Sequence, residues 1–328
     1  MTNVEGNQLN ISNNESSQND LLNASSSTWQ AFSQRFMKKK LGVISLVLII
    51  VMYTAGIFAP ILAPYSYTEQ NLERSLEGPS ADHILGTDTL GRDMYSRVLY
   101  SIRTTLIVTF AVVVSGSLVL GTFLGLVSGY KGGITDTVIM RIGDVFASLP
   151  GLPLLILINA ALSPKINEFS LWIDENTFIN NFQASGAASY ITIFFALSLF
   201  SWVGSARLIR SQVLSIREKE YITAARSIGL QQKRIVIRHL LPNISNLLIL
   251  LISSSLGAIA GSEIVLTWFG VGVQPPAASF GQMLYAGSGA RTFQAYPHLL
   301  LVPAFFVTIL MFAFNILGDA LNDVLRRD

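Results

Sequence analysis

The sequence of 328 residues contains no cysteine, only three histidines and few charged residues. The lack of cysteine excludes disulfides, thiolate zinc sites, iron–sulfur clusters and a cysteine nucleophile. The histidines at positions 83, 239 and 298 are too scattered to indicate a metal site, so we expect the chain to bind neither a metal nor a cofactor. Only 13% of the residues are charged, against roughly 25% in soluble domains, which argues against a soluble enzyme.

The balance of charge also gives no sign of a nucleic-acid partner. The formal net charge is +2, and no dense cluster of lysine and arginine offers a face that could follow a phosphate backbone. By contrast, 51% of the residues are hydrophobic and the mean hydropathy is +0.50. This composition indicates an integral membrane protein in contact with lipid.

Six apolar runs predict an all-α, polytopic membrane protein with six transmembrane helices. A helix of about 20 apolar residues crosses the roughly 30 Å of hydrocarbon in a bilayer. Pro150, Gly151 and Pro153 in the third run should break or kink that helix. Such a break either marks a transport path or reflects the prolines common in membrane helices. The runs are 41–62, 106–127, 138–162, 190–203, 244–269 and 299–320.

These runs divide the chain into four parts. Residues 1–33 are rich in asparagine and serine, and we expect them to form a disordered cytoplasmic tail. Residues 34–62 carry the first span, and residues 63–105 form an extracytoplasmic segment. Residues 106–325 form a core with the other five spans, and a long cytoplasmic loop, 204–243, lies within it.

Lysine and arginine are unevenly distributed among the segments that join the spans. With the N-terminus inside, 16 of the 22 lie in segments assigned to the cytoplasm, and half of those 16 lie in the 204–243 loop. Positive residues are concentrated on the cytoplasmic side of membrane proteins. We therefore predict a multi-pass protein of the cell membrane with both termini in the cytoplasm.

The 204–243 loop is predicted to contain a helix, a glycine turn and a second helix. Residues 220–228 include good helix formers and no breaker. Gly229 is a natural stop because glycine accepts the left-handed conformation just past a helix end. The basic stretch that begins at Lys233 is amphipathic and closes at Pro242, before the fifth span.

Small and apolar side chains in the first helix of this loop indicate a contact surface. Ala224 and Ala225 allow close approach to the backbone, and Tyr221, Ile228 and Leu230 surround them. Such a helix can insert into a groove of a partner protein or lie on anionic membrane lipid. Periodicity alone leaves both interpretations open.

Ionisable residues within the predicted spans are candidates for a functional role, among them Arg141, Asp144 and Glu263. Arg141 and Asp144 share a helix face, and we expect them to form a structural ion pair near the inner boundary. Glu263 lies deeper and either lines the path or pairs with an arginine of the external segment. The charged segment 63–105 forms either a contact surface or a packed cap, and the role of 163–189 is not readable.

The sequence contains no loop of the kind that cradles the phosphates of ATP. That loop has the pattern GxxxxGK followed by serine or threonine. None of the seven lysines is followed by either residue. We therefore expect the chain not to be an enzyme, and any ATP hydrolysis to take place on another polypeptide.

The 204–243 loop resembles the cytoplasmic EAA loop of ABC importer permeases. Residues 223–225 (Thr-Ala-Ala) precede Gly229 with the spacing of that motif, and residues 241–242 (Leu-Pro) follow at the expected distance. The sequence departs from the pattern at two positions: Thr223 replaces the usual glutamate, and His239 replaces an isoleucine.

Three further stretches resemble a narrower group, the oligopeptide and dipeptide permeases of the C-subunit type. They are 83–93 (HILGTDTLGRD), 269–276 (FGVGVQPP) and 314–321 (FNILGDAL). The first departs from the group's signature at Ile84, where proline is usual. The likeness extends over roughly residues 35–326, apart from much of 163–189.

This resemblance implies the type I ABC importer permease fold and a set of partners. In the family, the permease pairs with a second, homologous permease, and an extracytoplasmic substrate-binding protein delivers the cargo. Two cytoplasmic ATPases bind the EAA loops and hold the ATP and Mg²⁺. The resemblance thus implies an ATPase-docking surface made of Glu220, Tyr221, Thr223, Ala224, Ala225, Ile228, Gly229 and Leu230.

The resemblance also implies a cargo of oligopeptides or dipeptides. Nickel, glutathione and other small solutes are carried by closely related permeases, so they remain alternative cargoes. The rival function is a proton-coupled secondary transporter that acts without an ATPase and titrates Glu263.

Overall fold

The computed structural model describes residues 32–177, 182 and 186–325, and this part of the chain is helical and contains no strand. Its helices are α1 (Lys40–Ile57), α2 (Ala59–Leu62), α3 (Met94–Lys131), α4 (Gly133–Ser148), α5 (Gly151–Asn176), α6 (Ala187–Arg217), α7 (Glu220–Ser227), α8 (232–243), α9 (Ser245–Trp268), α10 (Phe280–Gly287), α11 (Ala290–Ala295) and α12 (His298–Leu325). A turn of π-helix, Val113–Leu120, lies within α3, and a second, Val236–Leu240, lies within α8.

Five of these helices, α1, α3, α6, α9 and α12, are long and apolar enough to cross a membrane, and α4 with α5 makes a sixth, broken span. The two halves of the broken span meet at an angle of 97°. Leu149 and Pro150 between them adopt extended conformations. Leu149 does so because a proline disfavours helical geometry in the residue before it. The predicted break at Pro150 is confirmed, and the predicted count of six spans is reached when the bent pair is counted as one span.

Several helices extend beyond the apolar runs that predicted them. Helix α3 begins at Met94 rather than near 106, because the Asp93 carboxylate accepts a hydrogen bond from the Ser96 N–H (2.7 Å) and caps the helix. Helix α6 continues to Arg217, well into the predicted 204–243 loop. Helix α5 continues to Asn176 and so takes up much of 163–189. Hydropathy finds the part of a helix that lies in hydrocarbon and misses its polar ends.

The predicted disordered tail, 1–33, lies outside the described residues except for its last two. Those two belong to a short helical stretch, 32–37, in which the Phe32 and Phe36 rings stack with centroids 6.4 Å apart. The division of the chain into 1–33, 34–62, 63–105 and 106–325 stays a prediction.

Helix α3 packs closely against α6 through glycines at four-residue intervals. A Cβ atom on Gly121 would lie 2.7 Å from the Ser205 Cβ, and one on Gly125 would lie 2.8 Å from the Ala206 carbonyl oxygen. Small residues at such positions let two helix backbones approach, which is a common way to hold membrane helices together. The contact fixes α6, whose end leads directly into α7.

The bundle has two polar ends, which we call the cap end and the hairpin end. The cap end consists of residues 63–93 and 270–297, and the hairpin end consists of residues 218–244. At the cap end, His298 Nε2 lies 3.3 Å from the Thr87 carbonyl oxygen. At the hairpin end, the Lys39 ammonium lies 2.7 Å from an Asp323 carboxylate oxygen. The segments predicted to be external meet at the first end, and those predicted to be cytoplasmic meet at the second.

Candidate functional site

The predicted helix, glycine turn and helix are present at the hairpin end, and the first helix ends as expected at Gly229. Gly229 has a φ of +79°, in the left-handed region. Its N–H donates to the Arg226 carbonyl (2.9 Å), and the Leu230 N–H donates to the Ala225 carbonyl (3.1 Å). These two hydrogen bonds form a Schellman motif, which satisfies carbonyl groups at the end of α7 and turns the chain toward α8.

Helix α7 has one face buried in the protein and one face in solvent. Ile222 and Ala225 are buried. On the other face Tyr221 is 40% exposed and Ile228 at the helix end is 78% exposed. The remaining exposed members of the predicted docking set are Glu220, Thr223, Ala224 and Gly229, and Leu230 is half-buried. The prediction that both alanines face a partner is therefore wrong for Ala225, which packs inward.

The buried face of α7 is tied to three spans. Ile222 and Ala225 belong to an apolar cluster with Ile209, Val213 and Ile216 of α6. The same cluster includes Leu126 of α3, Leu251 of α9, and Ile235 and Leu240 of α8. Because protein interiors are densely packed, a displacement of α7 has to be passed on to these helices. The exposed face is thus available for contact while the buried face connects it to the bundle.

A cavity of about 710 Å³ lies beside α7 and carries mainly positive charge. Lys131, Arg217 and Arg226 contribute to its lining, with Glu218 as the acidic member. Arg226 sits over the Tyr130 ring, 5.1 Å from its centroid, and Arg217 Nη1 donates to the Gly129 carbonyl (3.0 Å). These contacts hold two cations beside the predicted docking surface at its junction with α3.

The predicted ion pair between Arg141 and Asp144 is wrong. The Asp144 carboxylate accepts a hydrogen bond from Arg207 Nη2 of α6 at 2.7 Å, and Arg141 is exposed on α4. One turn closer to the hairpin end, Arg210 Nη2 donates to Asp136 (2.6 Å). Sequence spacing reveals partners on the same helix, whereas these arginines reach Asp136 and Asp144 from a neighbouring helix. The two pairs fasten α4 along α6.

Glu263 lies on α9, far from the hairpin end, and is fully buried, with 0% of its surface exposed. Its two carboxylate oxygens accept hydrogen bonds from the hydroxyl groups of Thr105 (2.9 Å) and Thr267 (3.2 Å). Thr267 Oγ1 in turn accepts the Val273 N–H at 3.1 Å. Of the two predicted environments, the pairing with an external arginine is not found among the described residues. The carboxylate instead joins α3 and α9 to the segment after α9.

Comparison with known proteins identifies the family. The family described as the binding-protein-dependent transport system inner membrane component matches residues 121–328. The N-terminal transmembrane domain of oligopeptide transport permease C matches residues 27–79. The chain belongs to this family of transport permeases. The permease is thus a membrane component of an ABC importer with the type I permease fold, and such a component is not itself catalytic.

Individual relatives resemble the permease over most of its length. The oligopeptide transport system permease protein OppC of Bacillus subtilis is 33% identical over 299 residues, which cover 91% of this chain and 89% of the relative. The dipeptide transport system permease protein DppC of Alkalihalophilus pseudofirmus is 35% identical, with 91% and 90% covered. The glutathione transport system permease protein GsiD of Pectobacterium atrosepticum is 32% identical, with 90% of each chain covered.

The segment after α1 in the permease is packed internally, as the cap predicted for 63–105 would be, and the contact role predicted for it stays a prediction. His83 Nδ1 lies 3.0 Å from the Asp93 carboxylate, and both residues are buried. Asp88 lies 2.7 Å from the Arg92 guanidinium. At the surface, hydrogen bonds from Arg74 to Glu77 and Asp82 raise the pKa of Arg74 above its ordinary value. These charged side chains, which make the segment unsuited to lipid, are therefore paired with one another within it.

Two features of the permease were missed by reasoning from the sequence. The glycines at 121, 125 and 129 form a GxxxGxxxG pattern, a visible signal for close helix packing. Arg97 was placed in an external segment but lies on α3 and is buried, with only 2% of its surface exposed. No local signal marks it, because its contacts include Tyr67 and Gln282, which lie 30 and 185 positions away in the chain.

Proposed function

We propose that the permease imports oligopeptides or dipeptides as one of two homologous permeases in an ABC importer. Two cytoplasmic ATPases would dock on the exposed face of α7, and an extracytoplasmic binding protein would deliver cargo at the cap end. The observation that carries the docking proposal is the division of α7 into two faces. Exposed Tyr221 and Ile228 suit a protein groove, and buried Ile222 and Ala225 connect the helix to three spans.

The same arrangement supports a mechanical role without chemistry on this chain. ATP and Mg²⁺ would be bound by the ATPases, and the permease would need no cofactor of its own. Closure of the ATPase pair would move α7, and the packed cluster would pass that movement to α3, α6 and α9. Alternating access would follow from their displacement. The excess of positive charge at the hairpin end supports a cytoplasmic location for that end and for both termini.

The peptide cargo is supported by relatives with oligopeptide and dipeptide names, and a glutathione relative keeps small peptide-like solutes among the alternatives. A proton-coupled carrier would need Glu263 to exchange protons with the path. The full burial of its carboxylate between two threonine hydroxyls gives that rival no support.

The docking proposal is tested by extracting the tagged permease in mild detergent together with its partners. In Ile228→Glu, a charge replaces an exposed apolar side chain, so we expect ATPase recovery and ATP-driven uptake to fall at least about tenfold while membrane insertion is unchanged. The matched control is Ile134→Glu, another exposed isoleucine, 84% accessible, at the start of α4.

The control should retain its ATPases and its transport. Full ATPase recovery with Ile228→Glu would overturn docking on this face of α7. A permease that is recovered without ATPases and still transports after reconstitution, driven by a pH gradient, would overturn the ABC importer assignment as well.

A further inference from the structure

A cavity of about 310 Å³ at the cap end has a buried arginine in its wall. Its lining includes exposed Gln274, Pro275 and Tyr285, through which it opens to the surface. Deeper in the wall lie Arg97 of α3 and Thr267 of α9. Neither the docking surface nor the α7 cluster includes any part of this cavity.

The Arg97 guanidinium has only long contacts with the protein. Nη1 lies 3.4 Å from the Tyr67 carbonyl oxygen, Nη2 lies 3.5 Å from Gln282 Oε1, and Nε lies 3.6 Å from Asp88 Oδ2. Hydrogen bonds from N–H to oxygen are normally about 2.7–3.2 Å long, and those between charged partners are shorter. A side chain that is 2% exposed therefore holds its charge with weak compensation.

Positive charge exceeds negative charge in this cavity. Its lining contains two guanidinium groups, Arg92 and Arg97, and one carboxylate, Asp88. Asp88 is already engaged, because Oδ2 accepts from Arg92 Nε at 2.7 Å and Oδ1 accepts the backbone N–H groups of Leu90 and Arg92. Asp93 nearby is occupied by His83 and Ser96. The lining therefore carries one more positive than negative charge, which a bound anion would neutralise.

The geometry of the guanidinium defines the kind of anion that would suit this cavity. A guanidinium presents parallel N–H donors that match the two oxygens of a carboxylate, and exclusion of water strengthens that interaction. The volume of the cavity accommodates the end of a small molecule but not the surface of a folded protein. The C-terminal end of a peptide carries such a carboxylate and is small enough to enter the cavity.

We propose that Arg97, in the wall of the cap-end cavity, binds the carboxylate of the peptide being transported. This inference rests on the proposed peptide cargo and adds a contact between cargo and permease. Such a contact would retain the peptide at the entrance to the bundle after its release from the delivery protein.

The test compares uptake of a free-acid peptide and its C-terminally amidated form by the complete importer in proteoliposomes. In Arg97→Gln, uptake of the free acid should fall about tenfold or more relative to the wild type, because a hydrogen bond to a charged group is lost. Uptake of the amide by the same variant should stay near the wild-type value. Arg97→Lys keeps the charge but loses the paired N–H donors of the guanidinium, so its uptake of the free acid should lie between those of the wild type and Arg97→Gln.

The control is Arg291→Gln, which removes an exposed positive charge from α11 at the same end. It should affect both peptides equally and weakly. A further measurement, which needs no variant, is the thermal stability of the wild-type complex, and the free acid should raise it more than the amide does.

Equal losses for the free acid and the amide in Arg97→Gln would overturn the inference and indicate that Arg97 contacts another partner or is structural. Equal stabilisation of the wild type by both peptides would also overturn it. Peptide uptake by the wild type would leave the proposed cargo intact in either case. A wild-type importer that takes up neither peptide would overturn both proposals.

Discussion

The two halves of α3 are held in the bundle by different interactions. In the half toward the cap end, Met94–Val112, buried hydroxyl groups make the contacts: Thr104 donates to the Ala278 carbonyl (2.7 Å), and Thr105 donates to Glu263. In the half toward the hairpin end, Gly121–Lys131, glycines bring the backbone against α6.

The difference shows how the same helix serves two purposes. Directional hydrogen bonds orient each side chain and fix the cap end, because a buried polar group without a partner is costly. Glycine contacts depend mainly on how closely two helix backbones fit together. They fasten α3 to α6 and leave the surface of the adjoining hairpin free for a partner. The cap-end half of α3 is thus held by hydrogen bonds, whereas the hairpin end exposes the apolar side chains of Tyr221 and Ile228.

The largest effect is expected when Asp93, which caps the half of α3 toward the cap end, is replaced. Asp93→Ala removes the cap of α3 and the partner of buried His83, so the free energy of unfolding should fall by about 3 kcal/mol. Thermal unfolding in detergent measures this change. A loss below about 1 kcal/mol would show that the cap end does not depend on its buried hydrogen bonds.

A smaller effect is expected when a glycine is replaced in Gly121–Lys131, the half of α3 toward the hairpin end. Gly125→Ala places a methyl group 2.8 Å from both the Ala206 carbonyl oxygen and the Ile209 Cβ, and should cost about 2 kcal/mol through overpacking. Gly204→Ala is the matched control, since a Cβ atom on this glycine of α6 would meet nothing within 4 Å beyond its own helix backbone. It should be neutral or stabilise the protein by up to about 1 kcal/mol. Similar unfolding temperatures for the two variants would contradict close packing at Gly125.

The smallest effect is expected at the exposed ion pair that fastens α4. Asp144→Ala should lower the free energy of unfolding by about 0.5 kcal/mol, because both Asp144 and Arg207 are more than one-third exposed and screened by water. The effect should decrease further as salt is added. A salt-independent loss above about 2 kcal/mol would contradict this expectation and show that the pair is shielded from water.

Reasoning from the sequence was most accurate where structure depends on local pattern. The six spans, the break at Pro150 and the turn at Gly229 follow from hydropathy, proline geometry and glycine conformation, and all three are present. It failed where partners come from other helices. Asp144 was paired with Arg141 because they share a helix face, but Arg207 reaches it from α6. Ala225 was assigned to the partner-facing surface but is buried. Which face of a short helix is buried depends on the helices it packs against, and the local sequence does not show this.

The sequence by itself determined that this protein is a helical membrane permease, since apolar length, charge asymmetry and motif spacing are properties of the chain. Tertiary structure alone decided which side chains face a partner, a cavity or a buried acid. Ile228 is exposed, Arg97 is buried with weak compensation, and Glu263 is enclosed by two threonines. The physical reason is that burial and charge compensation are set by contacts between segments distant in the chain, and these exist only once the helices have packed.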